Sequence, residues 1–277
     1  MVAVTTWIVG TGPIGLEAEG ERGRSRLASV LGAALREAGL GARVEVRAAL
    51  TYSELLGWVG RREVQLAWLG PALFVHAESR FGVTALVRAV RDGRQSFRGA
   101  LFAREGSALR GPDDLRGTRV AWVDPDSCAG FLFPRIALAQ RGLDPDATFS
   151  ELRILGSHGA VVRAVASGQA DVGATFVELR TPDDASSAVV RAGWSGSPVP
   201  MRPVLITDPV PADVVVATRV VSPEARERVA RTLAGLAARP EGAAVLSELF
   251  QASALEPVDA AEYVPVRSAL RAVGVRV

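Results

Sequence analysis

The sequence predicts an α/β protein with two lobes, each a three-layer αβα sandwich. Short apolar runs typical of strands alternate with amphipathic runs of helical spacing along most of the chain. This alternation pauses near residue 105 and begins again near residue 120, which indicates a second lobe. A chain of 277 residues, 48% of them hydrophobic, is long and apolar enough to form two cores.

The first lobe is predicted from a βαβαβ alternation at the start of the chain. Gly39 and Gly41 are expected to end the first helix, and Gly70 with Pro71 to end the third strand. Because strands joined through helices run parallel, we expect a parallel sheet covered on both faces. The predicted elements are strands at 5–9, 43–48, 65–69, 83–90 and 97–104, and helices at 26–38, 53–59 and 72–79.

The second lobe is predicted from the renewed alternation, after which a proline-rich extended segment at 203–221 leads back to the first lobe. We therefore expect lobe 1 to comprise residues 1–99 and 209–277, and lobe 2 residues 100–208, joined by a hinge of two chain crossings. A cleft between such lobes is a common place for a small ligand. The predicted elements of lobe 2 are strands at 119–123, 152–155 and 171–176, and helices after Gly130 and at 160–166. The return to lobe 1 adds a strand at 214–218 and helices at 223–238 and 241–251.

Composition excludes two classes of protein. The net charge is only +2, and acidic residues are interspersed among 32 basic residues, all of them arginine, so we expect no nucleic-acid partner. No apolar run approaches the ~20 residues of a spanning helix, so the chain is not expected to be an integral membrane protein. Residues 1–10 lack the pattern of a signal peptide. We therefore expect a cytoplasmic protein if the sequence is complete, and a periplasmic or cell-surface protein if a signal peptide has been removed.

Two glycine-marked turns, at 124–130 and 156–159, each lie between a predicted strand and a predicted helix. Ser127 and Cys128 are expected at the N-terminus of the first of these helices. Unpaired backbone N–H groups and the helix dipole favour negative charge at such a position. Two helix N-termini facing one cleft would form a cradle for an oxyanion.

With these motifs, the sequence resembles the substrate-binding proteins of ABC transporters for phosphonate, phosphite and phosphate. The resemblance spans nearly the whole chain and implies the periplasmic-binding-protein type II fold. The motifs that carry it are 67–71 (AWLGP), 96–99 (SFRG), 124–134 (DPDSCAGFLFP), 156–158 (GSH) and 168–175 (GQADVGAT).

The resemblance also implies a set of ligand-binding residues. Hydroxyls and backbone amides after the Asp-Pro turn would hold the phosphonate oxygens, and two acidic residues would meet the far end of the ligand. The sequence departs from the family pattern at Phe97, where tyrosine is usual, and at Gly159, where an acidic residue is frequent. The implied residues are Tyr52, Phe97, Ser127, Cys128, Ala129, Ser157, His158, Glu178 and Asp213.

The two acidic residues, Glu178 and Asp213, predict that the ligand carries a cation or an acidic proton besides its oxyanion. Carboxylates beside an oxyanion repel it unless the ligand also carries a cation or an acidic proton. An aminoalkylphosphonate could place its ammonium group near both carboxylates, and a protonated phosphate or phosphite could donate to one of them. Structural interpretations are also open: a rim carboxylate for Glu178, an Asx-type turn for Asp213, and helix capping or packing for Tyr52.

These observations favour a monomeric solute-binding protein that needs no cofactor, captures a small phosphonate-like oxyanion and delivers it to an ABC-type permease. A second hypothesis is a cytoplasmic enzyme with Cys128 as nucleophile and His158 as base, and a third is a cytoplasmic ligand sensor. Cys128 is the only cysteine, so no internal disulfide is possible, and it also fits a simple packing role. The only other histidine, His76, lies in an apolar helix, so we expect no metal site.

Overall fold

The computed structural model describes residues 5–13, 18–182, 184–274 and 277. The strands are β1 (Thr5–Thr11), β2 (Ala42–Ala48), β3 (Leu66–Leu69), β4 (Thr84–Val90), β5 (Ser96–Arg104), β6 (Arg119–Trp122), β7 (Glu151–Ile154), β8 (Val172–Leu179), β9 (Val189–Ala192), β10 (Met201–Pro211), β11 (Val214–Ala217) and β12 (Ala254–Pro257). The α-helices are α1 (Ala18–Glu37), α2 (Tyr52–Gly60), α3 (Pro71–Phe81), α4 (Phe133–Ala139), α5 (His158–Ala166), α6 (Pro223–Ala234), α7 (Pro240–Phe250) and α8 (Val264–Ala272). The predicted α/β class is confirmed.

The described residues form two compact units. Unit 1 takes its residues from Met1–Gln95 and Ala212–Arg267 together with Val277, and unit 2 from Ser96–Pro211 and Ser268–Arg276. The lobe boundaries expected from the sequence fall at 99/100 and 208/209. In the structure, β5 already begins at Ser96 and pairs with β8 and β10, so residues 96–99 belong to unit 2.

Unit 1 is built on a six-stranded sheet in the order β12-β4-β11-β3-β1-β2. β1 pairs in parallel with β2 and β3, whereas β11 and β12 run antiparallel to their neighbours. The predicted parallel pairing is therefore confirmed for β1, β2 and β3, the strands of the opening βαβαβ alternation, but it does not extend to β11 and β12, which come from the later segment of the chain. In the core, the Trp68 and Phe250 rings stack with their centroids 3.8 Å apart.

Unit 2 is built on a sheet in the order β10-β5-β8-β6-β7, with β9 paired to β8 at the side. β6 lies between β7 and β8 and runs parallel to both. β5, β9 and β10 run antiparallel to the strands they pair with. The core contains Trp122, which is fully buried against the edges of Phe131 and Phe149, and Trp194, which stacks on Phe102.

Several predicted elements differ from those observed. The proline-rich segment is extended, as predicted, and forms most of β10, an 11-residue strand whose extent was not predicted. The helix expected over 223–238 ends at Ala234, and after Gly235 the chain continues as a short 3₁₀ helix, Leu236–Ala238. β9, β12 and α8 were not predicted: β9 and β12 are four-residue strands with little pattern, whereas the amphipathic pattern of α8 is present in the sequence and was missed. Among the described residues, no helix combines the length and apolar character needed to cross a membrane.

Candidate functional site

The first glycine-marked turn follows β6 and differs from the α-helix N-terminus that the sequence predicts. Residues Cys128–Leu132 form one turn of π-helix, in which the Phe133 N–H donates to the Cys128 carbonyl. α4 begins only after this turn. The physical reason is Pro134, which has no N–H to donate to the Gly130 carbonyl four residues earlier. That carbonyl instead accepts from the Val123 N–H at 3.1 Å.

The π-turn places three of the predicted site residues together in a buried position. Ser127, Cys128 and Ala129 are 6%, 4% and 3% exposed. The Ser127 hydroxyl oxygen accepts from the Gly130 N–H at 3.0 Å and so caps the turn. A Cβ at Gly130 would lie 2.3 Å from Cγ2 of Val123, so this position requires glycine.

The second turn follows β7 and forms the N-terminus of α5, as predicted. Gly156 has a φ of +78°, a conformation that glycine adopts without strain. Ser157 caps the helix, and its hydroxyl oxygen accepts from the Ala160 N–H at 3.3 Å. α5 therefore begins at His158, two residues before the predicted start, with its N-terminal backbone groups at this turn.

The His158 side chain is positioned by two residues of β8. Its Nδ1 lies 2.8 Å from Oγ1 of Thr175, a fully buried hydroxyl, so the two atoms share a hydrogen bond. Its ring also meets the ring of Phe176 edge-on, with centroids 5.5 Å apart. These contacts fix where the imidazole lies beside the second turn.

Backbone hydrogen bonds bring the two turns together. Val123, directly after β6, donates its N–H to Gly130 of the first turn and accepts the Gly156 N–H of the second at 2.8 Å. The parallel strands β6, β7 and β8 also end at the same edge of the sheet, which we call the carboxyl edge of unit 2. In α/β proteins this is the edge where ligands bind.

The chemistry of the carboxyl edge suits an oxyanion. A serine hydroxyl that accepts one hydrogen bond still carries a proton, so Ser127 and Ser157 can each donate to a ligand. The first backbone N–H groups of α5 and its helix dipole also favour negative charge. Among the described residues, no three His, Cys, Asp or Glu side chains cluster as they would around a metal ion.

Glu178 and Asp213 differ from what the sequence suggests, because each is already paired with an arginine. Glu178 is only 2% exposed and lies directly opposite Arg191 in the β8–β9 ladder. The Arg191 Nε donates to Oε2 of Glu178 at 3.0 Å, and its Nη2 donates to Oε1. In unit 1, the Arg91 Nη2 donates to Oδ2 of Asp213 at 2.5 Å. Neither carboxylate therefore needs a cationic ligand to balance its charge.

The remaining predicted residues are Tyr52 and Phe97. Tyr52 is the first residue of α2 in unit 1, where it is half-buried and follows the N-cap Thr51. Phe97 lies in β5 of unit 2, half-buried and opposite Val210 of β10. Its neighbour Arg98 is buried, and its guanidinium donates to two backbone carbonyls of unit 2.

Sequence reasoning missed three side chains of unit 2 that organise this region. Thr175 stood in a recognised motif, but nothing in the motif showed that it would reach His158. Arg191 had no local signal, because its pairing with Glu178 depends on the register of two strands. Arg98 also stood in a recognised motif, but charged side chains are seldom buried, so composition alone argued against its role.

The chain forms two α/β units, each from separate stretches of sequence, and unit 2 has a carboxyl edge suited to an anion. These features define the class of two-lobed ligand-binding proteins. A model of the family described as the periplasmic substrate-binding protein of phosphonate ABC transporters matches residues 15–263. The chain belongs to this family. The family match supports the binding-protein hypothesis and favours neither the enzyme nor the sensor alternative.

A curated relative agrees with this assignment. The phosphate-import protein PhnD of Mycolicibacterium smegmatis is 30% identical over 149 residues, which span 49% of this chain and 46% of that protein. The match thus spans about half the length of this curated relative.

Solved structures support the fold. The Pseudomonas aeruginosa binding protein component of an ABC phosphonate transporter is similar with a TM-score of 0.77 at 20% identity, over 96% of this chain and 86% of that one. PhnD1 from Prochlorococcus marinus, in complex with methylphosphonate, has a TM-score of 0.77 at 18% identity, over 97% of this chain and 98% of that one.

Proposed function

We propose that this protein binds a small phosphonate-like oxyanion, a phosphonate, phosphite or phosphate, at the carboxyl edge of unit 2. The observation that carries the proposal is the pair of serine-capped turns after the adjacent strands β6 and β7, held together through Val123. Family membership supports the same ligand class. So do a methylphosphonate complex of one structural neighbour and the name of the mycobacterial relative.

In this proposal the ligand oxygens accept from the Ser127 and Ser157 hydroxyls, from backbone N–H groups of the two turns, and from His158. Hydrogen bonds to a charged oxyanion are stronger than those between neutral groups. Cys128 and Ala129 contribute their backbone N–H groups and a close-fitting wall. The protein carries out no chemistry on the ligand.

A binding assay tests the proposal. Phosphate, phosphite, methylphosphonate and sulfate are each added to the purified protein, and thermal unfolding and calorimetric titration are measured. A ligand at ~100 times its dissociation constant adds about 2.7 kcal/mol to the free energy of unfolding, which should raise the midpoint by roughly 5 to 10 °C. A selective shift with one or more phosphorus oxyanions is expected. No shift with any of them would contradict the proposal.

A pair of cap variants locates the site. Ser157→Ala removes one helix cap and one proposed ligand donor, so we expect about a 10-fold loss of affinity. Ser222→Ala is the matched control, because Ser222 caps α6 of unit 1 through an equal 3.3 Å bond to the Ala225 N–H. Both variants should lose a similar amount of stability, and only the first should lose affinity. Equal affinities would place the ligand elsewhere.

We further propose that the protein works outside the cytoplasm as a monomer and delivers its ligand to the permease of an ABC transporter. The family description, which is that of a periplasmic transporter component, supports this location and partner. Cell fractionation, uptake of the ligand by a deletion strain, and the solution mass from light scattering test the three parts separately. A cytoplasmic location, unchanged uptake or a dimer mass would each contradict one part.

A further inference from the structure

We infer that Arg191 makes the site selective for oxyanions without an ammonium group. This inference rests on the proposed function and names the ligand class more closely. Glu178 is the carboxylate that the family resemblance implies near the far end of a ligand. A buried carboxylate demands a positive partner, and that partner can come from the ligand or from the protein.

In this structure the protein supplies the partner. Arg191 and Glu178 are directly opposite each other on neighbouring strands, and two nitrogens of the guanidinium donate to the two carboxylate oxygens. This is the bidentate geometry of a strong arginine–carboxylate pair. A ligand ammonium would have to displace a guanidinium that is already held in place.

The pair and the proposed oxyanion site share one neighbouring side chain, Phe176. The Arg191 guanidinium carbon is 5.4 Å from the centroid of the Phe176 ring, and the His158 ring contacts that same phenylalanine edge-on. Phe176 thus contacts both the histidine of the second turn and the arginine that pairs with Glu178. A substituent that extends from an oxyanion at this turn toward β8 meets the Arg191–Glu178 pair, in which the guanidinium already occupies the place beside the carboxylate that a ligand ammonium would need.

Unit 1 contains a second pair of the same kind. The Arg91–Asp213 pair is largely buried, with side-chain exposures of 14% and 21%. Both carboxylates that the sequence suggested for an ammonium group are therefore neutralised within their own unit. The two observations are independent, since they involve different strands and different arginines.

The test uses two ligands of equal size that differ in one charge: n-propylphosphonate and 2-aminoethylphosphonate. Calorimetric titration of the whole protein should show at least about 10-fold tighter binding of n-propylphosphonate. Arg191→Met should remove this preference or reverse it. The Glu178 carboxylate then lacks its guanidinium partner and can pair with the ammonium group of 2-aminoethylphosphonate. The double variant Glu178→Gln with Arg191→Met should bind the two ligands with affinities within about threefold of each other. This variant leaves no unpaired buried charge, so it keeps the test valid if the single variant is unstable.

Arg153→Met is the matched control, because Arg153 pairs with Glu151 on β7 in an exposed ion pair of the same unit. It should keep the full preference of the unaltered protein. A preference that survives Arg191→Met would mean that the Arg191–Glu178 pair only stabilises the sheet, and would overturn the inference. Equal or tighter binding of 2-aminoethylphosphonate by the unaltered protein would also overturn it, as would exclusion of both ligands when methylphosphonate binds.

Failure of the proposed function gives a different result. In that case phosphate, phosphite and methylphosphonate would not bind the unaltered protein either, and both the function and the inference would be overturned together. Binding of those small oxyanions with no discrimination by charge would overturn the inference alone.

Discussion

The two edges of the unit 2 sheet carry polar side chains of opposite character. At the edge where β6 and β8 begin, Asp171 accepts from the Arg119 backbone N–H at 3.0 Å and from the guanidinium at 3.0 and 2.8 Å. The same guanidinium also donates to the Gly168 carbonyl. At the carboxyl edge, Ser127 and Ser157 accept backbone N–H groups and keep hydroxyl protons to donate. The polar groups at one edge are satisfied within the chain, whereas the other edge keeps hydroxyl donors that we propose bind the ligand.

In unit 2, the strand ends at one edge of the sheet serve stability, and we propose that those at the other edge serve binding. Strand ends on both edges need partners for their polar groups, and an ion pair satisfies them fully. Capped turns satisfy only part of their donors, so the remaining donors can bind a ligand. Three changes, in order of decreasing effect, test this division.

The largest effect is expected at the carboxyl edge from Gly130→Ala. The new methyl group would overlap the Val123 side chain and approach the Ser127 hydroxyl at 2.9 Å, so the π-turn must shift. We expect a loss of about 1–3 kcal/mol in the free energy of unfolding, with loss of oxyanion binding. Chemical denaturation and titration measure both. Gly106→Ala is the control, because a Cβ there meets nothing within 4 Å; equal effects of the two changes would contradict the special role of the π-turn.

An intermediate effect is expected from Thr175→Val, which removes the hydroxyl that positions His158. Valine has nearly the same shape, so the loss should be about 1 kcal/mol in stability and up to about 10-fold in oxyanion affinity. Thr148→Val is the matched control. The Thr148 hydroxyl is buried and has no hydrogen-bond partner among the described residues, so its removal should be neutral or stabilising. Unchanged affinity in Thr175→Val would show that the orientation of His158 does not matter for binding.

The smallest effect is expected at the opposite edge from Asp171→Asn. Hydrogen bonds from the Arg119 guanidinium, helped by its backbone N–H, lower the pKa of the Asp171 carboxyl, while burial opposes them. Because the pKa is lower in the folded state, the carboxylate stabilises the fold above its unfolded pKa of about 3.9, and this contribution is lost as the pH falls through the folded pKa.

At pH 7, Asp171→Asn should lower the unfolding midpoint by no more than about 3 °C, because the ion pair is partly exposed to solvent. The difference from the unaltered protein should shrink as the pH falls below about 4. Oxyanion affinity at pH 7 should stay the same. A marked loss of affinity would mean that the two edges are not separate in function.

The two turns of the candidate site could be predicted because each is local. A strand, a glycine-marked turn and a helix start are each encoded within about ten residues, so both turns were placed correctly along the chain. The π-turn was missed, although its cause is local too: Pro134 leaves the Gly130 carbonyl without its α-helical donor. The alternative donor, Val123, could be recognised only once the turn had folded back on β6.

By itself, the sequence determined the α/β class, the two stretches of alternating elements and the family. These depend on hydrophobic periodicity and on short motifs, which survive without knowledge of long-range contacts. Only the tertiary structure decided which partners the predicted site residues have. His158 and Thr175 are 17 residues apart, Glu178 and Arg191 are 13 apart, and Arg91 and Asp213 are 122 apart. Strand register sets Arg191 opposite Glu178, and the fold brings the other two pairs within hydrogen-bond distance, so local pattern could identify the carboxylates but not the arginines that neutralise them.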